Sequence, residues 1–164
     1  MAEQLAAETD FHVIALAPVE SDAEAIRRRL FDPAAPASRL SIMSGRLEEV
    51  AFPQYLADLI VAEDWNATQL NTGADFLLTL YERLKPYGGV ACLNVEPPRD
   101  EEIRAWLREA GHSQAQVERR GDFLLVRRSG ALPGAVNYTN DWDAPDSRVR
   151  APLGILWFDD SLSR

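Results

Sequence analysis

The stretch from Ala57 to Val95 decides the fold. It reads ADLIVAED at 57–64, then FLLTLYERL at 76–84, KPYGG at 85–89 and VACLNV at 90–95. Two apolar runs, separated by an amphipathic helix that Pro and Gly end, predict a strand–helix–strand crossover with both strands buried. Strands joined in this way lie parallel in an α/β sheet, and ligands of such sheets bind at the carboxyl ends of the strands. We therefore expect any site just after Val61 and just after Leu93.

The sequence on either side predicts further strands and helices. Upstream, we predict a short helix over Glu3–Glu8, strands over Phe11–Leu16, Arg39–Met43 and Asp58–Ala62, and a helix with the capping box Ser21 and Glu24. Downstream, we predict a helix that is capped by Asp100 and ends at Gly111, with Ile103, Trp106, Leu107 and Ala110 facing inward, and a hairpin of strands 114–119 and 123–127. The pattern as a whole indicates an α/β fold with a mostly parallel sheet and a C-terminal antiparallel hairpin.

Composition limits the class of protein. The 164 residues are 46% hydrophobic and 26% charged, which is typical of one soluble globular domain plus a tail. No apolar run approaches the roughly 20 residues that a membrane-spanning helix needs. The formal net charge of −9 opposes binding to nucleic acid, whose phosphates recruit Lys and Arg. The N-terminal residues MAEQLAAETD lack the apolar length of a signal peptide, so the cytoplasm is the default compartment.

The residue types that most often form catalytic or metal sites do not identify such a site in this sequence. The single cysteine, Cys92, lies in an apolar strand pattern and fits a core position better than a catalytic thiol. His12 and His112 have no Cys, His or carboxylate at metal-ligand spacing, so we expect no metal site. Glu63 and Asp64 follow a predicted strand, where a carboxylate could serve as a general base, although solvated loop acids are the simpler interpretation.

One turn carries a resemblance to a known family. The segment Leu84-Lys85-Pro86-Tyr87-Gly88-Gly89, followed by a strand, a helix and a hairpin, resembles the C-terminal part of a class I S-adenosylmethionine-dependent methyltransferase. In that family the helix before the fifth strand commonly ends in a turn of the Leu-x-Pro-Gly-Gly type. The resemblance covers about Phe11 to Arg128, so we expect an incomplete methyltransferase-like domain over 1–128 and a linker or tail over 129–164.

The resemblance implies that the family's first strand and its glycine-rich loop are missing, because only ten residues precede Phe11. In the family the first strand lies between the second and the fourth strands, which correspond here to FHVIAL and DLIVAE. Here FHVIAL at 11–16 and DLIVAE at 58–63 should therefore pair directly or leave unpaired edges. We expect direct pairing, since unpaired buried backbone groups cost about 1–3 kcal/mol each.

The resemblance also places the cofactor contacts. It implies S-adenosylmethionine as the cofactor and assigns contacts to Glu20, Gly45, Arg46, Leu47 and Glu63. The family's ribose-binding acid falls on Ala17, so Glu20 could replace it only if the loop bends back. Arg46 is a donor where the adenine amino group needs an acceptor. No catalytic residue or methyl acceptor can be assigned, and a small molecule or another protein could be the substrate.

The tail carries a second resemblance. NYTNDW at 137–142 and VRAPLGILWFDD at 149–160 resemble the junction between a methyltransferase-like region and a β-propeller of the pyrroloquinoline-quinone type in large bacterial proteins. Two functions thus remain open. The chain is a fragment of an S-adenosylmethionine-dependent methyltransferase, or it is a non-catalytic Rossmann-like module that packs beside a propeller in the same polypeptide.

Overall fold

The computed structural model of the chain describes residues 1–30, 39–63 and 73–132. The chain divides into two compact units, Met1–Phe52 and Pro53–Arg164, which we call unit 1 and unit 2. The expected boundary between a domain over 1–128 and a tail from 129 remains a prediction, because most of that tail lies outside the described residues. The proposed propeller junction at 137–160 and Asp64 lie outside them as well.

Unit 1 is a small α/β layer. It contains α1 (Ala2–Glu8), β1 (Val13–Ala17), α2 (Glu20–Leu30) and β2 (Leu40–Ser44). The two strands pair in parallel, with Val13 opposite Leu40 and Ala17 opposite Ser44. Each predicted element is present, and the two strands are shifted by one or two residues from the predicted bounds.

The start of α2 differs from the predicted capping box. The helix already includes Glu20, so Ser21 is its second residue and cannot cap it. The carbonyl of Val19 accepts the amide hydrogens of Asp22 at 3.1 Å and Ala23 at 3.2 Å, which are the first hydrogen bonds of the helix. Val19, and not Ser21, is therefore the residue that precedes the first turn.

Unit 2 holds the crossover. It contains β3 (Leu59–Ala62), α3 (Gly73–Arg83), β4 (Val90–Asn94), α4 (Arg99–Glu109), β5 (Gln116–Arg120) and β6 (Phe123–Arg127). The strand order is β3-β4-β6-β5. β3 and β4 are parallel, and β6 runs antiparallel to both β4 and β5. Gly121 takes the positive φ of +58° at the first central position of the hairpin turn, as glycine readily does.

The predicted α/β class, the parallel crossover and the C-terminal hairpin are therefore confirmed. The expected pairing of β1 with β3 is wrong, because β1 belongs to the two-stranded sheet of unit 1 and β3 lies at the edge of the four-stranded sheet of unit 2. Every ladder found in the described residues joins strands of the same unit.

The core lies in unit 2. Its buried apolar residues are Phe76, Leu77, Leu80, Tyr81, Leu84, Ala91, Leu93, Val95, Ile103, Leu107, Leu124 and Val126. Phe76, Leu77, Leu80 and Leu84 form the apolar face of the amphipathic helix predicted over 76–84, and all four are buried. Fewer residues of α4 are buried than predicted. Ile103 and Leu107 are buried, whereas Trp106 is half-buried and Ala110 is exposed. Among the described residues of unit 1 only Ala17 and Ala23 are buried.

The turn after α3 shows why the Pro-Tyr-Gly-Gly sequence is needed. Tyr87 and Gly88 adopt positive φ values of +63° and +142°. A Cβ on Gly89 would lie 2.6 Å from the carbonyl oxygen of Lys85 and 3.2 Å from that of Ala57. Both neighbours are backbone atoms, so only glycine fits where the chain turns into β4.

The N-terminus of α4 also differs from the prediction. Pro98 is the N-cap residue, and no side-chain capping hydrogen bond forms. The Asp100 carboxylate instead accepts hydrogen bonds from the Arg119 guanidinium of β5, which also donates to the Val95 carbonyl at 3.0 Å. These hydrogen bonds hold the pKa of Asp100 below its usual range. They fasten the helix to the hairpin and to the end of β4.

A search of the described residues finds no helix that is both long and apolar enough to cross a bilayer.

Candidate functional site

The carboxyl ends of β1 and β2 meet at one edge of the sheet in unit 1. The amide of Gly45 donates to the carbonyl of Ala17 at 3.0 Å, which holds the two chain ends side by side. Ala17 is only 7% exposed and offers no side-chain acceptor at this edge. Gly45, with φ of +122°, then directs the chain away from β2. Four of the five predicted cofactor contacts, Glu20, Gly45, Arg46 and Leu47, therefore lie in segments that leave this edge.

Glu20 supplies the carboxylate of this edge. Its Oε1 accepts from Arg27 Nη1 at 2.7 Å, and both side chains are substantially exposed. A hydrogen bond with the Ser44 side chain and the bond from Arg27 hold the pKa of Glu20 below its usual range, so the group is ionised at neutral pH. A hydroxyl-bearing ligand would have to exchange with these donors.

Ser44 and Arg27 are the functional neighbours that the sequence reasoning missed. Arg27 also donates from Nε to the carbonyl of Ile42 at 3.0 Å, so it joins α2 to β2 while it binds Glu20. The seven-residue spacing of Glu20 and Arg27 on an amphipathic helix could have signalled this pair, since residues two turns apart share a face. Ser44 could be found only through the pairing of β1 with β2.

Arg46 begins a tight turn after β2. Its carbonyl accepts from the amides of Glu49 and Val50, and its own amide donates to the Glu49 carboxylate at 3.1 Å. Arg46 Nη2 lies 3.8 Å from Glu48 Oε1. The turn thus brings the Glu48 carboxylate next to the Arg46 guanidinium and the Glu49 carboxylate onto the Arg46 amide, so acceptors lie where the sequence alone showed a donor. Leu47 is half-buried within the same turn.

The fifth predicted residue lies in unit 2. Glu63 directly follows β3, and its carbonyl accepts from Asn94 Nδ2, at the end of β4, at 2.8 Å. This contact joins the segments after Val61 and after Leu93 at the carboxyl edge of β3 and β4, and the expectation that a site lies there stays a prediction. Asn94 was missed, although its place as the last polar residue of an apolar strand could have identified it.

No group of three or more His, Cys, Asp and Glu residues in the described ranges could hold a metal ion. His12 is exposed in unit 1, whereas the ring of His112 packs on Tyr81 with centroids 4.6 Å apart.

No family model and no curated protein sequence matches the chain. A solved structure that is similar is that of a candidate S-adenosyl-L-methionine-dependent methyltransferase from Methanococcus maripaludis. It has a TM-score of 0.54 and 18% sequence identity, and the match covers 76% of this chain and 69% of that chain. A candidate methyltransferase from Pseudomonas syringae has a TM-score of 0.46 and 22% identity, with 77% and 78% covered. At such identities the first match shows a methyltransferase-like α/β fold, and the second carries no argument.

Proposed function

We propose that the chain is the C-terminal part of an S-adenosylmethionine-dependent methyltransferase domain in a larger bacterial protein. The observation that carries this proposal is the fold similarity to the archaeal candidate methyltransferase. Fold alone does not fix function, so the activity must be argued from the site.

The strand order supports the fragment interpretation. β1 pairs only with β2 among the described residues, and β3 pairs there only with β4. In the family both would also border the first strand. A two-stranded sheet with two buried alanines is marginal by itself, because three or more strands are usually needed for independent stability. We infer that a strand and a glycine-rich loop from elsewhere in the protein complete the fold.

The residues at the edge of unit 1 fit one part of the cofactor. The ionised Glu20 carboxylate could accept hydrogen bonds from the ribose hydroxyls in place of Ser44 and Arg27. The carboxylates beside Arg46 could accept from the adenine amino group, and Leu47 offers an apolar contact. When bound, the cofactor supplies an electrophilic methyl group, so the protein needs mainly to position a nucleophile in line with it. Within unit 2, Glu63 and Asn94 are the polar groups that we propose contact a ligand at the carboxyl edge of β3 and β4.

Thermal unfolding in the presence of the demethylated cofactor tests this proposal. A ligand that binds only the folded state raises the melting temperature by mass action, so millimolar ligand should stabilise a version of the chain extended upstream. The variant Glu20→Gln should lose most of the shift. The matched control is Glu24→Gln, on the same helix, whose carboxylate accepts a hydrogen bond from Arg28 at 2.7 Å. Equal loss in both variants would reject the role of Glu20, and no shift in the extended chain would reject the enzyme interpretation.

A second candidate function is a non-catalytic module that keeps the fold as an interaction or packing domain. Ala17 at the ribose position and the existing partners of Glu20 favour it, because both reduce the polar contacts available to a cofactor. The resemblance of residues 137–160 to a propeller junction supplies the proposed neighbour, a β-propeller in the same polypeptide. Stabilisation of the extended chain by the cofactor or its product would reject this alternative.

A further inference from the structure

A cavity of about 180 Å³ opens between the C-terminal half of α4 and the start of β5. It is lined by Arg104, Leu107, Arg108, His112, Ser113, Ala115 and Val117. None of these residues belongs to the proposed methyltransferase site, and none of the seven carries a negative charge.

The strand register places this cavity at the end of the four-stranded sheet opposite to Glu63 and Asn94. Gln116 pairs with Arg127, and Arg127 pairs in turn with Val90, the first residue of β4. The start of β5 is therefore level with the amino end of β4, whereas Glu63 and Asn94 lie at the carboxyl end. A ligand in the cavity would be remote from the edge where we expect chemistry in unit 2.

Two guanidinium groups give the cavity its charge. Arg104 and Arg108 are four residues apart on α4 and so lie on one face. Arg104 Nε is shielded from solvent and has no hydrogen-bond acceptor, although Glu101 Oε1 lies 3.5 Å away. Arg108 forms no ion pair with any residue of the described ranges. Although the chain has a formal net charge of −9, these two arginines give the cavity a positive charge.

The other lining residues show which further groups a ligand of this cavity would need. Leu107, Ala115 and Val117 supply an apolar floor, and Leu107 is 2% exposed. Ser113 adds a hydroxyl that can donate a hydrogen bond. The volume is close to the roughly 150 Å³ cavity that binds benzene in another protein. The acids near these walls, Glu101 beside Arg104 and Glu82 beside His112, are outside the lining.

We propose that this cavity binds a small carboxylate with a compact hydrocarbon body, its carboxylate on Arg104 and Arg108 and its body on the apolar floor. The planar fork of a guanidinium matches a carboxylate in two hydrogen bonds, which makes Arg the suited residue for such a ligand. A ligand held in this way would bridge α4 and the hairpin strand β5 and would stabilise unit 2.

Nuclear magnetic resonance titration of the whole chain with benzoate tests the proposal. Amide shifts should concentrate in residues 104–117, and the neutral isostere benzamide should bind about tenfold more weakly because it lacks the charge-assisted hydrogen bonds. Inorganic phosphate, which has charge but no hydrocarbon body, should also bind more weakly. Equal binding of benzamide would overturn the anion site, and tighter binding of phosphate would overturn the choice of a carboxylate.

Two arginine variants locate the site. Arg104→Gln and Arg108→Gln should each weaken benzoate binding by about tenfold. The matched control is Arg99→Gln, at the other end of the same helix and outside the cavity lining. If Arg104→Gln fails to fold, Arg104→Lys keeps the charge without the fork and should give an intermediate affinity. An equal loss in the Arg99 variant, or unchanged affinity in folded Arg104 and Arg108 variants, would reject the site.

Discussion

The two units contain the same kinds of element but differ in what stabilises them. In unit 2 two helices pack leucine, isoleucine and aromatic side chains against a four-stranded sheet, and eight of its large side chains are fully buried. In unit 1 the only buried described residues are Ala17 and Ala23, while Phe11, Ile14 and Val19 are each at least 44% exposed.

This difference in buried side chains indicates which unit supplies most of the folding free energy. Apolar burial contributes about 25 cal/mol per Å², so unit 2 carries most of the hydrophobic stabilisation. Unit 1 relies more on surface ion pairs such as Arg28–Glu24 and Arg39–Asp10, and pairs of this kind contribute little. Unit 1, which carries most of the candidate cofactor residues, is thus the unit with the smaller core.

The largest expected effect contrasts two aliphatic residues. Leu80→Ala in unit 2 should lower the free energy of unfolding by about 3–4 kcal/mol, because Leu80 is fully buried and its removal leaves a cavity. Ile14→Ala in unit 1 should cost less than about 1 kcal/mol, because Ile14 is 45% exposed. Urea unfolding followed by circular dichroism measures both. A cost for Ile14→Ala that equals the cost for Leu80→Ala would break the comparison.

A smaller effect contrasts two glycines. Gly89→Ala in unit 2 should cost about 2–3 kcal/mol, because its Cβ would meet fixed backbone atoms of Lys85. Gly45→Ala in unit 1 should cost about 1 kcal/mol for its positive φ, because the nearest atom, Val50 Cγ2 at 3.2 Å, belongs to a side chain that can move. Thermal unfolding of the two variants sharpens the contrast, and a reversed order would contradict it.

The smallest effect is a pH dependence. Burial holds the pKa of His112 below its ordinary value. The positive charge of Arg128 lowers this pKa further, and the negative charge of Glu82 partly offsets the shift. The unfolded chain therefore binds more protons just below pH 6.5, so the contribution of neutral His112 is present above that pH and is lost as the pH falls. Melting temperatures between pH 7.5 and 5.5 should decline less in His112→Gln than in the wild type.

The control for this pH dependence is His12→Gln, an exposed histidine of unit 1. Its melting curve should follow the wild type at every pH. A decline that persists unchanged in His112→Gln would show that another group of the chain is responsible.

Local sequence patterns were sufficient for the elements. The period of Phe76, Leu77 and Leu80 identified the buried face of α3, and the Gly-Asp step identified the hairpin turn. Local patterns failed at two helix starts. Ser21 and Asp100 both have capping chemistry, but α2 begins one residue before Ser21, and Arg119, which is distant in the chain, binds the Asp100 carboxylate.

The candidate site could be predicted only in part. The rule that ligands bind at the carboxyl ends of parallel strands singles out Glu63, which stays a prediction, and the structure adds the contact of Asn94 with the Glu63 carbonyl. The contacts of Glu20 with Ser44 and Arg27 could not be derived, because they join segments whose closeness depends on strand pairing.

The sequence by itself determined the class of fold, the crossover and the end of its helix at Pro86 and the glycines, because periodicity and backbone sterics act within a few residues. The tertiary structure alone decided that the strands form two sheets, that the large buried side chains lie in unit 2, and that Arg104 and Arg108 border a cavity. Those outcomes depend on contacts between residues far apart in the chain, where hydrogen-bond partners and apolar surfaces compete.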